Sequence, residues 1–471
     1  MIAAIALNEL RLCLRNGTFV GLAVAMLALI AGATALSVQR LATFDRERAA
    51  AEAIDREVWD GQGARNPHSA AHFARYAFKP VPQLAAFDPG VTDYAGLALW
   101  MEAHYQNPAV FRRAEDLGDA GRFGDLSPAW ILQFAAPLFL SLILFSAIAG
   151  EREQGTLRQM AAGGIAPPTL LAGKLAGAGL ATAAIVVPAL IPGLPLARSS
   201  GGPVLPDLAL RSGGLLVAYG LYFVAVGGIA LGVSALCREK RTALIALVAI
   251  WAVSFVLLPR LSASLAVTLH PTPEAAELSK QLREASSALR RDTAYQEKME
   301  REILAQYGVD KVEDLPINYG AYSLQQSEER AHPQFEAFYA RLDAIHGRQE
   351  NVIMAASILS PVLALETLSA GLAGADRHHQ RAFAGAAEAH RRIMIKQLND
   401  DLMFNAGEAG YGYTADATLW RQIDDFTYTP PRFASVLSHY ALSALVLLLY
   451  AGGGIAFAAF ALNRAQKGIA A

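Results

Sequence analysis

Six stretches of the chain are apolar for long enough to cross a bilayer, and they divide it more clearly than any single motif. A hydrocarbon core of ~30 Å needs about 20 residues of helix. The first stretch is Gly17–Val38, the second Ala129–Ala149 and the third Leu170–Leu196. The fourth is Gly213–Leu236, the fifth Ala243–Pro259 with a continuation to Leu269, and the last Phe433–Leu462. Pro188, Pro192 and Pro195 predict a kinked or partly re-entrant end to the third. Two long polar segments, 39–128 and 270–432, separate these runs. In the later one, Leu278, Leu282, Leu289 and Met299 recur among charges over Ala275–Leu304, which predicts a long surface helix or a helical hairpin arm. Ala382–Phe404 repeats the pattern with Phe383, Ile393, Leu398 and Leu402. Val352–Leu372 is apolar but diluted by Ser357, Ser360, Pro361, Glu366 and Thr367, so it reads as a buried or membrane-resting helix rather than a seventh span. In the earlier segment, Phe87-Asp88-Pro89-Gly90 is turn chemistry, and Trp100 and Tyr105 are candidate anchors of a small core. The expected fold is a mainly α polytopic membrane protein with six transmembrane helices and two α-rich extracytoplasmic insertions.

Composition sharpens this picture. Over 471 residues, 54% are hydrophobic and 17% charged, outside the range of ordinary soluble domains. A net charge of -2 supplies no basic field, which excludes nucleic acid as a partner. Cys13 and Cys237 lie beside basic residues at the ends of apolar runs, so no structural disulfide is expected. The first apolar run, at 22 residues, exceeds the 7–15 or so of a signal-peptide core and reads as an uncleaved anchor. Lys and Arg prefer the cytoplasmic side of short loops. Arg11 and Arg15, then Arg152, Arg158 and Lys174, then Arg238, Lys240 and Arg241, then Arg464 and Lys467 all fall on one side of six crossings. Only Arg198 and Arg211 occupy a short loop on the other. Both termini are therefore expected in the cytoplasm, with an interfacial helix over 1–16, a cytoplasmic loop over 150–169, three spans within 170–269 and a tail over 463–471.

Enzyme signatures are scarce. Gly173-Lys174 is followed by Leu175, and Pro168 stands where a phosphate-binding loop needs Gly, so no nucleotide site is assigned to this chain. His68 and His72 are spaced to share a helix face as metal ligands. His104 lies in the same segment, but no third ligand is identified, and the pair reads as exposed surface beside Pro67 with no metal assigned. His378-His379 with His390, Asn399-Asp400-Asp401 and Asp424-Asp425 likewise read as solvated faces. The spans are almost free of ionisable residues apart from Lys174 and Arg260, which argues against a proton-coupled carrier.

The most legible stretch is Gly150-Glu151-Arg152-Glu153-Gln154-Gly155-Thr156-Leu157-Arg158-Gln159-Met160, between the second and third runs. Gly155 allows a sharp turn, and Thr156 is a candidate cap for a short helix ending by Gly163-Gly164. Pro167-Pro168 predict an extended link before the chain turns apolar again. With Gly173-Lys174, this stretch resembles the ABC-2 type permease family, whose hallmark is a Gly-Glu-Arg-Glu-x-Gly-Thr turn, a short coupling helix and a Gly-Lys. The two long polar segments are similar to a bacterial branch carrying a domain of unknown function, through Phe87–Gly90, Trp100-Met101-Glu102-Ala103-His104 and Leu359-Ser360-Pro361 to Asp401. The resemblance implies the permease subunit of an ATP-driven exporter in a bacterial inner membrane. Glu151, Arg152, Glu153, Gly155, Thr156, Leu157, Arg158 and Lys174 would couple it to a separate ATP-binding subunit. That subunit would bind the ATP and Mg, and this chain would hold no cofactor and catalyse no reaction. A second copy or a sister permease would complete the pathway, and a periplasmic or envelope protein is a further implied partner. Two rivals are a sensor or scaffold without net transport, and a membrane enzyme using the His and Asp residues of the polar segments.

Overall fold

The computed structural model describes residues 1–116, 126–190, 205–290 and 292–470. Among the described residues, six helices are long and apolar enough to span a membrane, and the protein is mainly α. The first span is a single helix, Gly17–Asp60, that runs well beyond Val38. Its polar half stays helical because oppositely charged side chains recur one turn apart, with Arg48–Glu52 at 2.7 Å and Arg56–Asp60 at 3.0 Å. The second span covers Pro128–Glu153, and the third begins at Pro167 and runs to Leu190. Pro167-Pro168 thus open a helix instead of forming an extended link, since a helix's first turn does not need the N–H that proline lacks. Pro188 lies inside this helix, whereas Pro192, Pro195 and Arg198 fall outside the described residues. The fourth span is Leu208–Leu236 and the fifth Lys240–Leu269. The sixth helix starts at Ala441, and Phe433–His439 forms a separate short helix before it.

Prolines shape two spans. A wide turn at Ile131–Ala135 precedes Pro137, and another at Ala252–Leu257 precedes Pro259. The carbonyls freed there are taken up by other elements. Gln133 O accepts from the Tyr222 hydroxyl, Phe134 O from Trp251 Nε1 at 2.8 Å, and Ser254 O from Ser360 Oγ. The fourth and sixth spans meet backbone to backbone, since a Cβ on Gly228 would lie 2.5 Å from the Gly454 carbonyl carbon. The first and fifth spans instead expose most of their apolar surface.

Outside the spans, the helices are α1 (Ile2–Arg15), α2 (Pro67–Phe73), α3 (Thr156–Ala162), α4 (Ala275–Arg290) and α5 (Thr293–Tyr307). They continue as α6 (Tyr319–Ala356), α7 (Pro361–Ala373), α8 (Arg377–Asn405) and α9 (Ala417–Gln422). Ala275–Leu304 is therefore two helices, and Val352–Leu372 is broken between α6 and α7. The two polar segments share one core, in which Trp59, Ala70 and Met101 pack with Phe383, Leu398 and Trp420. Trp100 does not anchor it. It lies on the exposed edge of a two-stranded ribbon, β1 (Tyr76–Phe78) against β2 (Ala98–Trp100). Ile393 also points outward at 59% exposure, while Phe383, Leu398 and Leu402 are buried as their spacing predicts. Helix α7 packs on the fourth and sixth spans, and Val362, Leu365, Leu368 and Leu372 are buried there.

Candidate functional site

The turn between the second and third spans is shaped by Gly155 and tied to its neighbours by Lys174. Gly155 has φ +74°, a conformation that side chains disfavour, and it reverses the chain directly before α3. Thr156 is the first residue of α3, not its cap, and its hydroxyl donates to the Glu151 carbonyl at 3.1 Å and to the Glu151 carboxylate. Leu157 is fully buried and pins α3 to the spans, while Gln154, Arg158 and Gln159 are exposed.

Lys174, only 3% exposed, places its ammonium 2.9 Å from Glu151 Oε1 and 2.7 Å from Glu9 Oε1. One cation thus joins the third span, the turn and α1. The approach of α1 is set by Gly173 and Gly177. A Cβ at Gly173 would stand 2.5 Å from Ile5 Cβ, and one at Gly177 would stand 2.6 Å from Glu9 Cβ. Glu9 and Gly177 complete the site without having been singled out from the sequence. The Gly-x-x-x-Gly spacing was the available signal for Gly177, because small residues one turn apart let helix backbones approach.

Arg152 and Glu153 face the fourth–fifth turn. Arg152 Nη1 donates to the Cys237 carbonyl at 2.8 Å, at the end of the fourth span. The Lys240 N–H donates to Glu153 Oε1 at 2.7 Å, satisfying a free donor where the fifth span begins. Just above, Ser234 Oγ accepts the N–H groups of Ile148 and Ala149, both at 3.1 Å, and donates to Phe145 O at 2.8 Å. It bridges the irregular turn that ends the second span. Of the eight residues predicted to couple, Glu151, Arg152, Glu153, Thr156 and Lys174 join other elements through hydrogen bonds or ion pairs. Gly155 and Leu157 shape the turn, and Arg158 presents to solvent.

At the other end of the spans, the polar segments bring carboxyl groups against them. The Asp88-Pro89-Gly90 turn forms as expected, with Gly90 N–H on Asp88 Oδ1 at 3.1 Å. The other Asp88 oxygen accepts from Ser369 on α7 and from Gln133 Nε2 at 3.4 Å in the second span. Gln133 also donates to the Tyr219 hydroxyl at 3.0 Å in the fourth. Burial, with the Asp88 charge adding to it, pushes the Glu366 carboxyl of α7 up to about 8. Glu366 and Asp88 line a cavity of about 1170 Å³ whose walls include Met26, Phe139, Trp251 and Phe255 of the first, second and fifth spans.

Arg211 is a correction. It is not a loop cation but lies fully buried at the start of the fourth span, where it donates to the carbonyls of Pro206, Gly371, Leu372 and Pro431. His379 is not on the surface either. Its ring is 1% exposed and bonded to Asp376. Asn399 is buried and donates to Gln325 Oε1 at 3.0 Å, whereas Asp400 pairs with Lys396 on the helix surface. Asp425 holds Arg75 at 2.7 Å and Arg56 at 3.2 Å.

His68 also departs from expectation, since it is buried while His72 is exposed. Asn66 caps α2, accepting the N–H groups of His68 and Ser69, and so places both rings on one face. His104 reaches the same point from the loop after β2, and the ring nitrogens of all three converge within 4.8 Å. Burial, helped by the neighbouring rings, lowers His68 to about 4 and lowers His72 as well.

A family model described as a domain of unknown function, DUF3526, matches residues 275–429. The match takes in α4 to α9, within the second polar segment. No curated protein matches the chain.

Proposed function

We propose that this chain is the membrane-spanning permease subunit of an ATP-driven transporter of the ABC-2 type, working as an exporter. Its ATP and Mg are bound by a separate ATP-binding subunit. The observation that carries the reading is the Lys174 node. A push on the exposed face of α3 reaches α1 and the third span through Lys174, and reaches the fourth and fifth spans through Arg152 and Glu153. This is what a handle for a soluble motor requires. A motor that grips α3 differently in its ATP-bound and ATP-free states shifts the spans between two arrangements by its differential affinity, a few kcal/mol for a tenfold or greater change in population.

The exposed apolar faces of the first and fifth spans support a lipid-embedded subunit that pairs with a second copy or a sister permease. The cavity bounded by those spans, apolar but carrying Glu366 and Asp88 at its edge, is suited to an amphipathic cargo. In this reading both termini and α3 lie in the cytoplasm of a bacterial inner membrane, and the polar segments lie outside it, where they would meet an envelope partner.

The test is purification of tagged protein from native membranes with an ATPase assay of the co-purifying material, alongside a Glu151→Ala, Arg152→Ala double variant. An ATP-binding subunit that accompanies the wild type and is lost or uncoupled in the variant supports the reading. Absence of any ATPase under mild extraction overturns it.

A further inference from the structure

We propose that His68, His72 and His104 bind a divalent metal ion of the zinc class through three imidazoles, leaving the fourth position open to solvent. The site is independent of the transport reading and lies between the two polar segments.

The spacing of the two nitrogens on α2 fits. Two ligands at the usual Zn–N length of about 2.05 Å, at the tetrahedral angle, stand about 3.3 Å apart. His68 Nε2 and His72 Nε2 stand 3.2 Å apart. Their rings meet edge to face, and the His104 ring centroid is 5.2 Å from that of His68 and 5.0 Å from that of His72. Three imidazole rings are crowded together, and the carboxylate in contact with them, Glu328, stands against His104.

The surroundings orient the rings for a metal. His104 Nδ1 lies 2.6 Å from Glu328 Oε1, which also accepts the His104 backbone N–H at 2.6 Å. That contact commits the Nδ1 proton to the carboxylate and leaves Nε2 as the nitrogen available to a metal. A carboxylate behind a histidine is the outer-shell arrangement that fixes ligating imidazoles. Glu328 is itself buried and held by Arg391 at 3.5 Å. To make this contact His104 adopts φ +69°, an uncommon conformation for a residue with a side chain. Such local cost is retained where the surrounding structure over-determines it, often at functional sites.

His68 Nδ1 and Asn399 Oδ1 are both buried without a hydrogen-bond partner among the described residues. An ion drawing on His68 Nε2 would fix the ring proton at Nδ1, on the side away from the metal. The three ligands come from the first polar segment, while Glu328, Arg391 and Asn399 come from the second. Metal binding would therefore fasten one segment to the other. The exposed flank at His72 leaves room for water or an exchangeable ligand at the fourth position.

The experiment uses the full chain in detergent, stripped with a chelator and dialysed against micromolar Zn²⁺. We expect one zinc per chain by elemental analysis, a raised unfolding midpoint, and, with Co²⁺ in its place, the intense visible bands of a four-coordinate ion. His72→Ala, at an exposed position, should fold normally and lose the metal, and the remote His390→Ala should keep it. Glu328→Gln should retain one zinc with affinity weakened about 10–100-fold. Less than half an equivalent of zinc in the wild type, or equal binding by His72→Ala, overturns the proposal. Unchanged affinity in Glu328→Gln removes that carboxylate from the site.

Discussion

The Lys174 ammonium and the Glu151 carboxylate meet at 2.9 Å across the turn that joins the second and third spans. Lys174 is buried, and Glu9 on α1 approaches it from the other side at 2.7 Å. A cation so enclosed persists because two carboxylates answer it.

Replacing Lys174 by Met leaves those carboxylates facing each other. Breaking a buried pair by removing one partner costs ~3–5 kcal/mol. Glu9 and Glu151 keep some solvent contact, so about half of that is expected here. The apparent Tm in detergent should fall, and adding Glu9→Gln to Lys174→Met should restore part of the loss. Equal Tm values for wild type and Lys174→Met would show that the node is not structural.

Gly177→Val should lift α1 from the third span. Its Cβ would lie 2.6 Å from Glu9 Cβ and 2.9 Å from the Ala6 carbonyl oxygen. Overpacking of this kind costs ~1–3 kcal/mol. Limited trypsin digestion should then cut at Arg11 and Arg15 faster than in the wild type. Gly179→Val, where nothing lies within 4 Å, is the control and should digest as the wild type does.

Arg211 fastens the N-terminal end of the fourth span to the end of α7 and to the chain entering the last helices. Arg211→Met strands several buried carbonyls, each worth ~1–3 kcal/mol when left unsatisfied. Poor yield and a markedly lower Tm are expected. Arg211→Lys should rescue little, because one ammonium lacks the planar fork that reaches four acceptors. Rescue to wild-type stability would refute the clamp.

Glu366 gives a pH signature. Its ordinary value of 4.5 rises to about 8 in the folded protein, so between these the native state holds a proton that the unfolded chain releases. Stability therefore falls as pH rises through that window and levels off above it, by at most a few kcal/mol. Glu366→Gln should match the wild type at pH 4.5 and exceed it in Tm at pH 8.5. A gap that stays constant with pH would place the Glu366 proton elsewhere.

The sequence by itself determined the six spans, since the length of an apolar run is a local property that a bilayer reads directly. It also located the turn around Gly155 and the charged residues near it, because glycine and charge are confined to a short stretch between two runs. What the tertiary structure alone decided was which distant residues meet. Glu9 reaches Lys174 because two glycines one turn apart admit α1, a fit that depends on side chains absent from the third span. Asp88 and Glu366 reach the interior because a turn and α7 fold back onto the spans. The path of α7 is set by packing against the fourth and sixth spans, which hydropathy does not encode. His104 joins His68 and His72 through a positive φ and a carboxylate more than 200 residues along the chain, at 328. Spacing exposes neighbours on one helix. Contacts between separate segments follow from how their apolar faces share a core, here the one that Trp59 and Trp420 close.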